Sequence, residues 1–210
     1  GVRFVLGGQP ALIKGVDRVT GIALADGEEV AADLVIAGIG ITPETTLAQH
    51  CGLSVDNGIV TDRECRTSDP AIFAIGDCAS RPMAHYAQRV CRLESVHNAV
   101  EGARIVAASI LGQGPYVEET PWFWSDQYDL KLQIAGLFQG YDQLAMRGAV
   151  SDRAFAAFYY KEGKLIAVDA VNKPAEFLGA KMLIQSGRSL PAETIVDTSR
   201  PMKELVAAAS

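Results

Sequence analysis

Ala71-Ile72-Phe73-Ala74-Ile75-Gly76-Asp77 reads as a short buried strand that stops in a glycine and a lone carboxylate. Gly76 has no Cβ, so a large group can lie against the backbone there. Asp77 then offers an acceptor to hydroxyls on that group. The same step is compatible with an ordinary strand end, so its meaning depends on the residues around it.

Upstream, the pattern is that of antiparallel strands. Val2–Leu6, Arg18–Leu24 and the run from Val30 are apolar stretches, with Asp26-Gly27 as a turn. Asp33-Leu34-Val35-Ile36-Ala37-Gly38-Ile39-Gly40 reads as a further buried strand with glycines at its exit. Thr42-Pro43-Glu44 opens a helix, with Thr42 as cap and Pro43 in the first turn, and Gly52 closes it. Asn57-Gly58 is another turn, followed by strand Ile59-Val60-Thr61.

Downstream, residues 81–92 are arginine-rich and read as irregular. A helix then starts near Glu94. Val96, Ala99, Val100, Ala103, Val106, Ala107 and Ile110 recur at helical spacing, and an alanine stripe at 99, 103 and 107 suits close packing on a sheet. Gly114-Pro115 marks a boundary. Beyond it the period becomes that of five strands, Trp122–Tyr128, Lys131–Leu137, Gln143–Val150, Arg153–Tyr160 and Lys164–Val171, then a helix from Pro174 to about Gly187. The expected fold is therefore α/β, followed by an α+β carboxyl-terminal domain with a five-stranded antiparallel sheet.

The chain has 210 residues, 49% of them hydrophobic, which suits two units better than one minimal domain. A formal charge of -6 argues against a nucleic-acid partner. No apolar run reaches the length of a membrane span. Cys51, Cys65, Cys78 and Cys91 form neither a CxxC pair nor a zinc-ligand pattern, so reduced thiols in the cytoplasm are expected. His50, His85 and His97 leave little from which to build a metal site, and none is expected. The chain opens on Gly1 inside a strand-like run, so we expect it to be part of a longer protein.

Four segments together carry a resemblance. Ala32–Pro43 looks like the return strand from the nicotinamide domain of two-dinucleotide-binding flavoproteins. Cys65-Arg66-Thr67-Ser68-Asp69-Pro70, with the run to Gly76-Asp77, looks like their second flavin motif. Arg92-Leu93-Glu94-Ser95-Val96-His97-Asn98-Ala99 and Pro121-Trp122-Phe123-Trp124-Ser125-Asp126-Gln127 narrow it. The chain resembles the FAD-dependent ferredoxin reductases that serve bacterial oxygenases, over nearly its whole length. The Gly-Asp step is widespread among flavoproteins; the tryptophan motif after Arg-Leu-Glu-Ser is far more specific.

The resemblance implies residues 1–40 as the tail of an NAD-binding domain, 41–117 as the carboxyl-terminal half of an FAD-binding domain, and 118–210 as the reductase carboxyl-terminal domain. It implies FAD and NAD(P)H as cofactors, a ferredoxin-type iron–sulfur protein as partner, and no catalytic acid or base. A homodimer is compatible with it. Gly76 and Asp77 would hold the ribityl chain. Glu94, Ser95 and Val96 would face the flavin at a helix N-terminus, whose dipole favours negative charge. Trp124 would lie beside the isoalloxazine, and Ile39 and Gly40 would approach the nicotinamide dinucleotide.

The family's two GxGxxG loops are absent, since Gly7-Gly8 and Gly38-Ile39-Gly40 lack the pattern. The expectation is a carboxyl-terminal part that binds flavin weakly or not at all by itself. Trp122 is either a docking edge or packing. Arg89 and Arg92 are expected in surface pairs, Glu176-Phe177-Leu178 in the packing of the last helix, and Cys78 outside any dithiol. A basic patch of Lys131 with Arg147 would steer an acidic partner. Alternatives left open are an NADH oxidase or disulfide-reductase relative, and a non-catalytic dimerisation or partner-binding fragment.

Overall fold

The computed structural model describes residues 1–209, in two compact units, Gly1–Thr42 and the remainder from Pro43. The first unit is an antiparallel meander of β1 (Pro10–Gly15), β2 (Val19–Leu24) and β3 (Glu29–Ala31), in that order. The β1–β2 turn depends on Gly15, at φ 126°, where a Cβ would stand 1.9 Å from the Arg18 carbonyl oxygen. The turn at Asp26-Gly27 is present, with the Glu28 N–H donating to Asp26 Oδ1 at 3.0 Å.

Two expected strands of this unit do not form. Residues 2–6 form no strand, and the first strand begins instead at Pro10. Residues 33–40 are likewise outside any sheet, with Leu34, Ile36 and Ile39 exposed at 76%, 87% and 91%. The physical reason is the same for both. An apolar run becomes a buried strand only when neighbours supply ladder hydrogen bonds and cover its faces, and no described segment does so here.

The second unit begins with α1 (Thr46–His50), later and shorter than expected. Pro43 and Thr42 lie outside it, and Glu44 Oε1 instead accepts from the Thr46 N–H at 2.8 Å. A small mixed sheet follows, β4 (Ile59–Val60), β5 (Ala79–Met83) and β6 (Arg89–Cys91), parallel between β4 and β5 and antiparallel between β5 and β6. The stretch expected to be irregular is thus mostly a hairpin. Residues 71–75 correct the reading in the opposite direction. They are extended but joined only by an isolated bridge between Arg66 and Phe73, and Ile72 and Ile75 are each 37% exposed.

Helix α2 (Val96–Ile110) is capped by Ser95, whose hydroxyl accepts from the Asn98 N–H at 3.1 Å. Its buried face is Asn98, Glu101, Gly102 and Ile105; Ala103 and Ala107 are exposed. The close approach expected of the alanine stripe is made at Gly102 instead. A Cβ on Gly102 would meet Ile75 Cβ at 3.0 Å, so it is Gly102 that lets α2 lie against the 71–75 run.

The carboxyl-terminal sheet holds β7 (Trp122–Gln127), β8 (Leu130–Gly136), β9 (Gln143–Arg147), β10 (Phe155–Lys161) and β11 (Lys164–Val171) in the order β7-β8-β11-β10-β9, antiparallel throughout. Alternation along β10 and β11 sends Phe158, Tyr160 and Val168 into a core completed by Phe177, Leu183, Ile195 and Leu205. These last four come from α3 (Pro174–Gln185) and two helices the sequence did not announce, α4 (Ala192–Ile195) and α5 (Met202–Ala208). Glu176 and Phe177 are buried in this packing as expected, whereas Leu178 is 57% exposed.

Candidate functional site

Gly76 adopts φ 75° and starts a 3-10 turn, Gly76–Cys78, directly after the extended run. This geometry presents Asp77 to solvent beside the entry to α2. Two side chains hold the turn and the helix entry together. Arg92 Nη1 donates to the Asp77 carbonyl oxygen at 3.1 Å and to Glu94 Oε1 at 2.6 Å. Asn98 Nδ2 donates to the Leu93 carbonyl at 2.8 Å and reaches the Gly76 carbonyl at 3.5 Å. Gly76, Asp77, Glu94 and Ser95 are therefore brought side by side.

Arg92 was expected on the surface and is instead nearly covered, with its side chain only 10% exposed. Its role is to fix the relative position of the two carboxylate-bearing segments. Asn98, in the sequence only one member of the 92–99 motif, supplies the second tie. A signal existed in its position, since the third helical residue can reach back over its own N-cap.

Ahead of α2 the donors are free. The N–H groups of Val96 and His97 find no acceptor among the described residues. A concave pocket of about 180 Å³ opens there, with Leu93, Glu94 and Ser95 on one wall and Trp122, Phe123, Ile134, Leu137 and Phe138 on the other. The Glu94 carboxylate and an apolar wall line it, and the orphan N–H groups of Val96 and His97 stand at the adjoining helix end, outside that lining. Together they offer the polar edge and the flat apolar face that a flavin ring requires, so the residues fit a flavin.

The tryptophans behave differently from one another. Both rings leave the same face of β7, with centroids 5.3 Å apart. Trp122 packs against Phe177 at 5.9 Å and His97 at 5.7 Å, with Lys181 Nζ 5.4 Å from its ring centroid. Trp124 is 40% exposed and does not line the pocket, whereas Phe123, from the other face, does. Val96 is 62% exposed. Ile39 and Gly40 lie in the first unit, and Gly40 is at φ 90°.

The expected steering pair is corrected. Lys131 is exposed, but Arg147 is buried at 3% exposure. Arg147 bonds Glu176 Oε1 at 3.2 Å and the carbonyls of Ile195, Asp197 and Arg200 at 2.9, 2.5 and 2.6 Å. It pins the chain after α4 and faces no partner. Half-buried Lys181 lies over Trp122 and, like exposed Arg104, stands 3.6 Å from Glu119.

Cys78 is free, with its Sγ 3.5 Å from the Ile75 carbonyl oxygen, and the other three cysteines are free as well. Burial pushes the Cys65 thiol up to about 11. No helix among the described residues is long and apolar enough to cross a membrane.

Comparison with known proteins agrees with this geometry. Residues 1–103 match the pyridine nucleotide-disulphide oxidoreductase family model, and residues 122–206 match the reductase C-terminal model. Putidaredoxin reductase of Pseudomonas putida is 45% identical over 192 residues, covering 91% of this chain and 45% of that protein. A probable ferredoxin reductase of Castellaniella defragrans is 46% identical over 198 residues, covering 94% of this chain and 48% of that protein.

Among solved structures, the reductase in the covalent putidaredoxin reductase–putidaredoxin complex aligns with a TM-score of 0.91 and 43% identity, covering 97% of this chain and 49% of that one. The chain spans about half the length of the curated relatives it matches. It belongs to the ferredoxin reductase family and corresponds to the carboxyl-terminal part of its members.

Proposed function

We propose that this chain is the flavin-facing carboxyl-terminal part of an FAD-dependent NAD(P)H:ferredoxin reductase of the cytoplasm. Its partner in this reading is a ferredoxin-type iron–sulfur protein of an oxygenase system, and a homodimer is compatible with it. Residues 1–40 are the tail of an NAD-binding domain in this reading, 41–117 half of the FAD-binding domain, and 118–210 the reductase carboxyl-terminal domain.

The observation that supports it is the junction made by Arg92 and Asn98. They align Gly76 and Asp77 with Glu94 and Ser95 at one helix N-terminus, in front of the pocket walled by Phe123 and Phe138. FAD bound there supplies hydride acceptance from NAD(P)H and single-electron delivery to the partner. The protein's own contribution is orientation and electrostatics. Asp77 accepts from ribityl hydroxyls, the free N–H groups of Val96 and His97 favour negative charge at the ring's polar edge, and the aromatic wall excludes water. Trp124 and the backbone of Ile39 and Gly40 belong to the same proposal, as the ring's neighbour and as the dinucleotide's approach. Lys181, over Trp122, and exposed Arg104, which shares Glu119 with it, take the steering role in place of Lys131 and Arg147.

The test is a flavin titration followed by tryptophan fluorescence, on this chain and on a polypeptide that also carries two upstream glycine-rich dinucleotide loops. Micromolar or tighter retention is expected only for the longer polypeptide, and Asp77→Ala should weaken it at least about tenfold, the cost of a charge-assisted hydrogen bond. Flavin retention indifferent to Asp77 overturns the assignment. Absence of flavin bleaching by NADH in the longer polypeptide leaves the non-catalytic reading instead.

A further inference from the structure

A second concavity, of about 340 Å³, lies between the loop that joins β5 to β6 and the turn that joins β10 to β11. Its lining includes His85, Tyr86, Arg89, Lys161, Lys164 and Ile166, with Glu162 as its carboxylate. Three exposed cations, Arg89, Lys161 and Lys164, against one carboxylate is unexpected in a chain whose net charge is -6.

The arrangement also breaks a local rule. Lys161 and Lys164 stand directly opposite each other in the β10–β11 register, where like charges repel. Neither lysine, nor Arg89, has an ion pair or side-chain hydrogen bond among the described residues. A cost carried without internal compensation is the mark of a site built for something else.

The floor of the concavity is rigid. Tyr86 Oη donates to the Ile166 carbonyl at 3.1 Å and accepts from the Leu137 N–H at 2.9 Å. Gly136 makes room for this hydroxyl, since a Cβ there would stand 2.9 Å from it. His85 Nε2 donates to the Glu118 carbonyl at 3.0 Å, which ties down the other end of the loop. Ala87 and Gln88 are held at φ 52° and 61°, consecutive left-handed positions that non-glycine residues adopt only under constraint. The cations are thus carried on a preformed frame, which lowers the ordering cost of binding.

We propose that this concavity binds a small phosphate-bearing anion, at a site separate from the flavin pocket. Its size suits a molecule of metabolite dimensions, whereas a protein partner requires a surface of about 800 Å² on each side. The ring of Tyr86 and the side chain of Ile166 provide an apolar floor for an organic remainder beneath the charged rim.

The experiment is calorimetric titration of the purified protein with inorganic pyrophosphate and, separately, with ribose 5-phosphate, each at chloride-matched ionic strength. These two arms separate a free inorganic anion from the phosphate of an organic molecule. Saturable binding to one site is expected, weakened at least about tenfold by Arg89→Ala and by Lys161→Ala/Lys164→Ala, as loss of a charge-assisted contact demands. All three residues are exposed, so these variants fold. Lys131→Ala, which removes one exposed charge elsewhere, should leave the affinity unchanged. No saturable binding, or equal weakening by Lys131→Ala, overturns the proposal. So does an acidic protein whose association depends on these residues while pyrophosphate does not bind.

Discussion

Replacing Arg81 by Met should destabilise the second unit by about 3–5 kcal/mol, because it strands two buried carboxylates. Arg81 is 4% exposed on β5, and its Nη2 and Nη1 donate to Glu101 Oε2 at 2.6 Å and Glu118 Oε1 at 2.7 Å. Those carboxylates are 2% and 8% exposed. Their remaining oxygens are also engaged: Glu101 Oε1 accepts from the Glu119 N–H at 2.6 Å and Glu118 Oε2 from the Ala84 N–H at 2.8 Å. One guanidinium therefore joins β5, α2 and the segment that leads into β7.

The pH dependence of this loss has a definite sign. Burial already raises the Glu101 carboxyl above its ordinary value. A carboxyl that binds its proton more tightly when folded favours folding at low pH, and that gain disappears as pH rises through its folded value. Arg81 opposes that rise, so removing it raises the Glu101 carboxyl further, and the loss measured at pH 7 should shrink at pH 5. Arg81→Met/Glu101→Gln/Glu118→Gln removes the bare charges yet keeps acceptors for both backbone N–H groups. It should recover about half of the lost stability.

Urea unfolding followed by tryptophan fluorescence measures this directly, since Trp122 and Trp124 both lie on β7 in the second unit. With a denaturant slope of about 2 kcal/mol/M, the midpoint should fall by about 2 M. A shift below about 0.5 M, or one unchanged between pH 5 and pH 7, would falsify the claim that this triad is a buried charge network.

Three further outcomes are expected. Ser95→Ala should cost about 1 kcal/mol through the lost N-cap of α2, with Ser95→Asp close to wild type; equal losses in both point away from capping. Arg92→Ala should weaken flavin retention in a flavin-loaded polypeptide much more than it lowers the urea midpoint, because its bonds align Asp77 with Glu94 outside the main core. Retention and midpoint falling in proportion contradicts this. Thiol titration at pH 8 should label exposed Cys51 promptly and Cys65 only on unfolding, because burial keeps the Cys65 thiol protonated up to about 11; matching rates at both thiols count against it.

Local chemistry was enough for the five strands and first helix of the carboxyl-terminal half and for the turns, though not for α4 and α5. Strand alternation with Glu162-Gly163 and Pro174 specified five strands and a helix, because period and punctuation act within a few residues of one another. The start of α2 near Glu94 was legible for the same reason, whereas the cap at Ser95 and the unpaired state of residues 71–75 before Gly76 were not. Sheet order, the burial of Arg147 and Arg81, and the choice of Gly102 over the alanine stripe were not, since each depends on which distant segment arrives opposite. Residues 33–40 have the composition of a buried strand and are none here, because ladder hydrogen bonds and covering faces come from neighbours. Arg92 moved from surface pair to staple because its partners, the Asp77 carbonyl and Glu94, are brought within reach of one guanidinium by the fold.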